Sequence, residues 1–212
     1  MTPRMSTANF ITLSRLPLLL LLAGLLYLPG ALAAFLALGL LPVLFLMDWF
    51  DGYWARMKDQ VSDLGSVLDI AIDRVVENVL WIVFAHLGRV PVWIPILFIV
   101  RSFVVDGLRG YALTKGHSAF GMMHSPLGRF LVAGRLMRGL YGLAKGLAFG
   151  GLVLVPALAS LSPPPPSLAW LSPLAGFLVY FTVGLCVARG VPVLLDIRAL
   201  LTPPGEAKRR GS

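Results

Sequence analysis

The chain has 212 residues, 58% hydrophobic and only 13% charged, with a mean hydropathy of +0.84. A soluble domain carries about twice that charged fraction, so the composition excludes a soluble globule and describes a polytopic membrane protein. The formal charge of +8 does not point to nucleic acid, because the basic residues are scattered between apolar spans rather than gathered on one face.

The N-terminus is polar up to Ser14, and Leu16 to Leu28 is then almost pure leucine. Asn9, Thr12 and Arg15 fall on one face of a short N-terminal lead-in helix. Ala31-Leu-Ala33 imitates a signal-peptide cleavage site, but a second apolar span follows at once. Apolar spans are expected near 16–28, 32–50, 68–88, 91–113, 130–158 and 168–188, each close to the ~20 residues a bilayer crossing needs. Of the 18 lysines and arginines, all but Arg89 fall at one set of alternating helix ends and connections. The positive-inside rule then gives six transmembrane helices with both termini in the cytoplasm, in the inner membrane. Trp81, Trp93 and Trp170 fall toward the opposite boundary, as an aromatic belt would, and His86 reaches the interface there. The run Pro163 to Pro166 is a stiff spacer. Cys186 lies in an apolar run, allows no internal disulfide and reads as a small buried hydrophobe. After Arg189-Gly190-Val191-Pro192 the last span gives way to a short amphipathic stretch. Residues 1–201 form a single membrane domain, and 202–212 read as a disordered basic tail.

Six of the ten acidic residues lie between Asp48 and Asp73, inside this apolar chain. Carboxylates at membrane depth are costly and mark function. Asp48 and Asp51 share a helical stripe with Gly52 and Ala55; Gly65, Asp69 and Asp73, four apart, form another on the next helix. Four converging carboxylates need cations, and hard oxygen ligands select Mg²⁺ or Mn²⁺, with room for two ions. Gly52, Ala55 and Gly65 remove side chains where a ligand must approach the backbone, and Arg56 offers a fork for phosphate. Together these groups describe phosphoryl transfer to or from a pyrophosphate, facing the cytoplasm. Buried ion pairs between helices, or an ion-coupled transport path, are the competing accounts. Neither explains glycine and alanine at these offsets, and no acid lies between Asp106 and Asp196 to carry a path onward.

The pattern Asp48-x2-Asp51-Gly52-x2-Ala55-Arg56-x8-Gly65-x3-Asp69-x3-Asp73 resembles the complete signature of the CDP-alcohol phosphatidyltransferases. That resemblance implies a two-metal site held by Asp48, Asp51, Asp69 and Asp73. It implies that Asp48, Gly52, Ala55, Arg56, Gly65 and Asp69, with Asn9 and Thr12, receive the CDP moiety of CDP-diacylglycerol. It further implies that Asp73 deprotonates a small-alcohol acceptor already oriented in the site, that CMP leaves, and that the protein is a homodimer among membrane lipids. An inactive scaffold that binds a nucleotide-lipid is a further alternative.

Acceptor choice should lie in the remaining basic residues. Arg101, Arg109, Arg138 and Lys145 sit too far into apolar helices to face lipid and suit a phosphorylated acceptor. Arg138 and Lys145, seven apart, share a face. Asn9-x2-Thr12-x2-Arg15-x-Pro17 and Arg101 to Arg109 resemble segments of the phosphatidylglycerophosphate synthases, which points to glycerol 3-phosphate. Arg74, directly after Asp73, looks more like the inositol-phosphate branch. His117 and His124 belong to a cytoplasmic loop and read as ordinary loop histidines.

Overall fold

The computed structural model describes residues 7–57, 63–114 and 128–201; within these, the side chains of 7–9, 48–57, 63–64, 66, 109, 112–114, 129, 133, 135 and 196–201 lie outside the description. The described residues form helices and short turns, with no strand among them. Six helices follow in order: α1 (Thr7–Tyr27), α2 (Ala31–Met57), α3 (Asp63–His86), α4 (Trp93–Thr114), α5 (Arg135–Ala159) and α6 (Leu168–Leu201). A π-helical turn, Arg129–Ala133, precedes α5.

Among the described residues three stretches are long and apolar enough to cross a membrane: Phe10–Tyr27, Leu136–Ala159 and Leu168–Leu195. Ala31–Met47 on α2 is a shorter apolar run. The apolar sequences of α3 and α4 are interrupted by charged residues, Asp69, Asp73, Arg74 and Glu77 in one and Arg101, Asp106 and Arg109 in the other. Leucines and phenylalanines such as Leu20, Leu32, Phe103, Leu136 and Phe177 are largely exposed. In an integral membrane protein such groups meet lipid, where leaving them uncovered costs nothing.

Two compact units make up the chain: Met1–Pro95 with Gly146–Phe177, and Ile96–Lys145 with Leu178–Ser212. In the first, one stripe of α1 is buried along its length: Thr12, Arg15, Leu19, Leu22 and Leu26, at alternating steps of three and four. This helix packs against α2 and α3. The core is completed by Phe149 of α5, whose ring stacks on Phe45 at 6.2 Å and meets Trp81 edge-on at 4.7 Å. At Gly151 α5 comes close to α6, since a Cβ there would lie 2.8 Å from that of Ala175.

The turn after α3 is a Schellman cap. Gly88 takes a positive φ of 69°, Gly88 N–H donates to the Ala85 carbonyl at 3.0 Å, and Arg89 N–H donates to that of Phe84 at 2.9 Å. Arg89 then lays its guanidinium over the Phe84 ring, 5.8 Å from the centroid, and donates to the carbonyl of Leu152 at 2.8 Å. Leu152 stands four residues before Pro156, which has no N–H to return to it. The arginine supplies the donor that the proline withholds. Burial pushes its guanidinium below the usual arginine pKa, yet it remains a cation at any physiological pH.

Several expectations need correction. The lead-in helix is not separate: α1 runs unbroken from Thr7 through Pro17 to Tyr27. The last span does not end at Arg189, because α6 continues through Gly190 and Pro192 to Leu201. In lipid, an ended helix exposes backbone groups that nothing hydrates, which outweighs the poor helix propensity of Gly and Pro. Trp81 is no belt residue, being fully buried against Phe149; Trp93 and Trp170 are exposed. His86 is exposed and shares a 2.8 Å hydrogen bond between its Nδ1 and the Tyr27 hydroxyl. Cys186 is buried and forms no disulfide, as its apolar surroundings suggested.

Candidate active site

Asp69 and Asp73 lie one turn apart near the start of α3, and the side chain that faces them comes from α1. Arg15 Nη2 donates to Asp73 Oδ1 at 3.3 Å, and Arg15 Nη1 lies 3.9 Å from Asp69 Oδ1. Burial is divided unequally: the Arg15 side chain is 0% exposed, against 50% for Asp69 and 40% for Asp73. The carboxylates are therefore open to a ligand while their counter-charge sits inside the protein. The sequence put Arg15 on the face of Asn9 and Thr12 but gave it no part in the chemistry. Its signal was a cation on a stripe that continues through Leu19, Leu22 and Leu26 with no other charge.

Thr12 is buried one turn before Arg15 on the same stripe, and Gly65 is half-buried near the start of α3. Asp48, Asp51, Gly52, Ala55 and Arg56 ride on the helical backbone of α2, with their side chains outside the described residues, as is that of Asn9. Among the described residues no group of three carboxylate, histidine or cysteine side chains could hold a metal. The half of the acidic motif that is described does suit a hard divalent cation: two oxygen-bearing groups on one stripe, both partly exposed. Arg15 engages Oδ1 of Asp73, so the carboxylate's other oxygen remains to be shared.

Farther along α3, Glu77 is buried and receives Arg74 Nη1 at 3.1 Å. Sequence reasoning passed over Glu77, although it extends the stripe of Asp69 and Asp73 by one more turn. The second unit holds its own cationic cluster. Lys145 on α5 and Arg189 on α6, both buried, approach the buried Tyr141 ring, with Nζ at 5.7 Å and Cζ at 5.4 Å from its centroid. Arg189 was missed because the glycine and proline beside it read as the end of a helix. Arg138, expected to share a face with Lys145, is exposed, and Arg101 is half-buried. Arg109 has its side chain outside the described residues, as do His117 and His124 entirely.

Comparison with known proteins gives these residues a context. The family model described as CDP-alcohol phosphatidyltransferase matches residues 5–188, across both units. The chain is similar to a CDP-diacylglycerol–glycerol-3-phosphate 3-phosphatidyltransferase of Bacillus subtilis, 37% identical over 62 residues, 29% of this chain and 32% of that protein. A protein of the same name from Mycoplasma pneumoniae is 33% identical over 126 residues, 50% of this chain and 55% of the relative. A Mycobacterium tuberculosis protein provisionally named a cardiolipin synthase is 38% identical over 72 residues, 34% of each chain. The matched stretches thus span about a third to just over half of these relatives' lengths. Since the family model covers nearly the whole chain, the protein belongs to the CDP-alcohol phosphatidyltransferase family.

Proposed function

We propose that the protein transfers a phosphatidyl group from CDP-diacylglycerol to glycerol 3-phosphate and releases CMP. It does so as one membrane domain over residues 1–201, with six crossings, both termini cytoplasmic and the acidic site at the cytoplasmic face. The observation that carries this reading is the exposed Asp69–Asp73 pair, seated on a buried Arg15 within the signature spacing. Asp48, Asp51, Asp69 and Asp73 would hold the Mg²⁺ or Mn²⁺. Bound there, the metal would neutralise the pyrophosphate and the charge growing on departing CMP. Gly52, Ala55, Arg56 and Gly65, with Asn9 and Thr12, would seat the cytidine diphosphate. Asp73 would accept the proton of the attacking hydroxyl. Arg15 fixes the Asp73 carboxylate by holding one of its oxygens.

A phosphorylated acceptor is supported by the buried cations Lys145 and Arg189, with Arg109 and Arg138 as further candidates. Arg101 lies in different, apolar surroundings. Relatives named for glycerol 3-phosphate favour that acceptor. The inositol-phosphate alternative rested on Arg74, and that guanidinium is engaged with Glu77.

Purified protein given CDP-diacylglycerol, Mg²⁺ or Mn²⁺ and one acceptor at a time should release CMP with glycerol 3-phosphate. Chelation by EDTA should stop it and added metal restore it. Turnover with serine alone would overturn the reading of the cations. Asp73→Asn should abolish turnover while metal-dependent CDP binding persists; an asparagine variant with normal turnover would remove the base from Asp73.

A further inference from the structure

In the second unit two buried cations share an aromatic ring. Tyr141 and Lys145 stand one turn apart on α5, so their side chains lie on one face of that helix, and Arg189 reaches the same ring from α6. Lys145 Nζ lies 5.7 Å and Arg189 Cζ 5.4 Å from the ring centroid, inside the ~6 Å over which a ring face attracts a cation. The tyrosine and both cations are each less than a tenth exposed. The chemistry of the acidic motif makes no call on Tyr141, so its place between two helices and two charges needs another reason.

Burying two like charges near each other costs lost hydration and mutual repulsion. A carboxylate relieves that cost by cancelling the charge. A ring face relieves part of it through its quadrupole and adds no formal charge, so what it holds is still a cation to an arriving anion. Order is the second gain. A lysine stem has four rotatable bonds, and an ammonium already resting on a ring loses less freedom when a phosphate takes hold of it. Because a single ring serves both side chains, its removal loosens both together. We propose that Tyr141 is a positioning residue for the phosphate monoester of the acceptor, its ring face holding Lys145 and Arg189 in place without neutralising them. This rests on the reading that the acceptor is phosphorylated, and it does not depend on which phosphorylated alcohol that is.

The full chain, purified in mild detergent, is assayed with saturating CDP-diacylglycerol while glycerol 3-phosphate or inositol phosphate is varied. Binding of each acceptor is measured separately by calorimetry, without CDP-diacylglycerol. Tyr141→Leu should raise the KM and Kd of the acceptor about tenfold, the loss of a desolvated cation–π contact, with kcat and the KM for CDP-diacylglycerol unchanged. Tyr141→Phe keeps the ring face and should bind the acceptor like the wild type. Phenylalanines carrying successively more ring fluorines at position 141 keep the shape of the ring and drain its negative face. Acceptor Kd should rise with each fluorine, which a packing role would not produce, and this series decides the matter if Tyr141→Leu does not fold. Unchanged acceptor affinity in Tyr141→Leu would overturn the proposal, as would affinity that ignores the fluorines or a loss shared equally by kcat and the KM for CDP-diacylglycerol. Turnover with inositol phosphate in place of glycerol 3-phosphate, with the same response to the ring series, would overturn the choice of acceptor and support the role of Tyr141. Turnover with an unphosphorylated alcohol alone would overturn both.

Discussion

Arg15 carries the buried half of an ion pair whose acidic half faces outward, and the asymmetry fixes which member is expensive to lose. Removing the arginine leaves two carboxylates that are 40–50% exposed and can be met by water or cations. Removing both carboxylates takes two acidic partners from a guanidinium with no exposure, and a buried charge that loses compensation costs up to about 3 kcal/mol. The double variant Asp69→Asn/Asp73→Asn should therefore unfold at lower temperature than the wild type in detergent. Adding Arg15→Met to it should recover much of that loss. A triple variant no more stable than the double would mean that Arg15 is satisfied elsewhere. Sequence alone yielded the carboxylates, because their spacing repeats with the helix. It did not yield their partner, because the contact joins residues 58 apart and depends on which stripe of α1 turns inward.

At the scale of elements, the helices were legible and their ends were not. Apolar runs locate a helix well, but the polar segment ahead of Leu16 read as a separate lead-in helix and Gly190-Val-Pro192 as the end of the last span, whereas α1 and α6 run through both. In lipid, hydrogen bonding within the helix outweighs local propensity. Where Pro156 opens the ladder of α5, Arg89 closes it by donating to the Leu152 carbonyl. Arg89→Ala should cost about 1–3 kcal/mol, the range for a buried acceptor left unmade. In a Pro156→Ala background, where residue 156 regains its N–H, the same change should cost close to nothing. The coupling in a double-mutant cycle, read by unfolding in detergent, is the measurement; additive effects would show that Arg89 acts only through the Phe84 ring.

For the whole molecule, the distribution of basic residues predicts an orientation. With Cys186 replaced by serine, a cysteine at position 162 should react with an impermeant maleimide from outside intact cells. One at position 210 should react only once the cytoplasmic face is opened. Labelling of both from one side would contradict a crossing by α6 between them. In the proposed orientation Arg89 is the one lysine or arginine that every newly made copy must carry across the bilayer. Its retention is then set by a proline nitrogen that bears no hydrogen on another helix rather than by any surface requirement. The two positions form a single heritable unit: a lineage that loses Pro156 frees itself of a translocated charge, whereas one that loses Arg89 first is left with an open helix. Among descendants of this sequence, proline should disappear before arginine, and seldom the reverse.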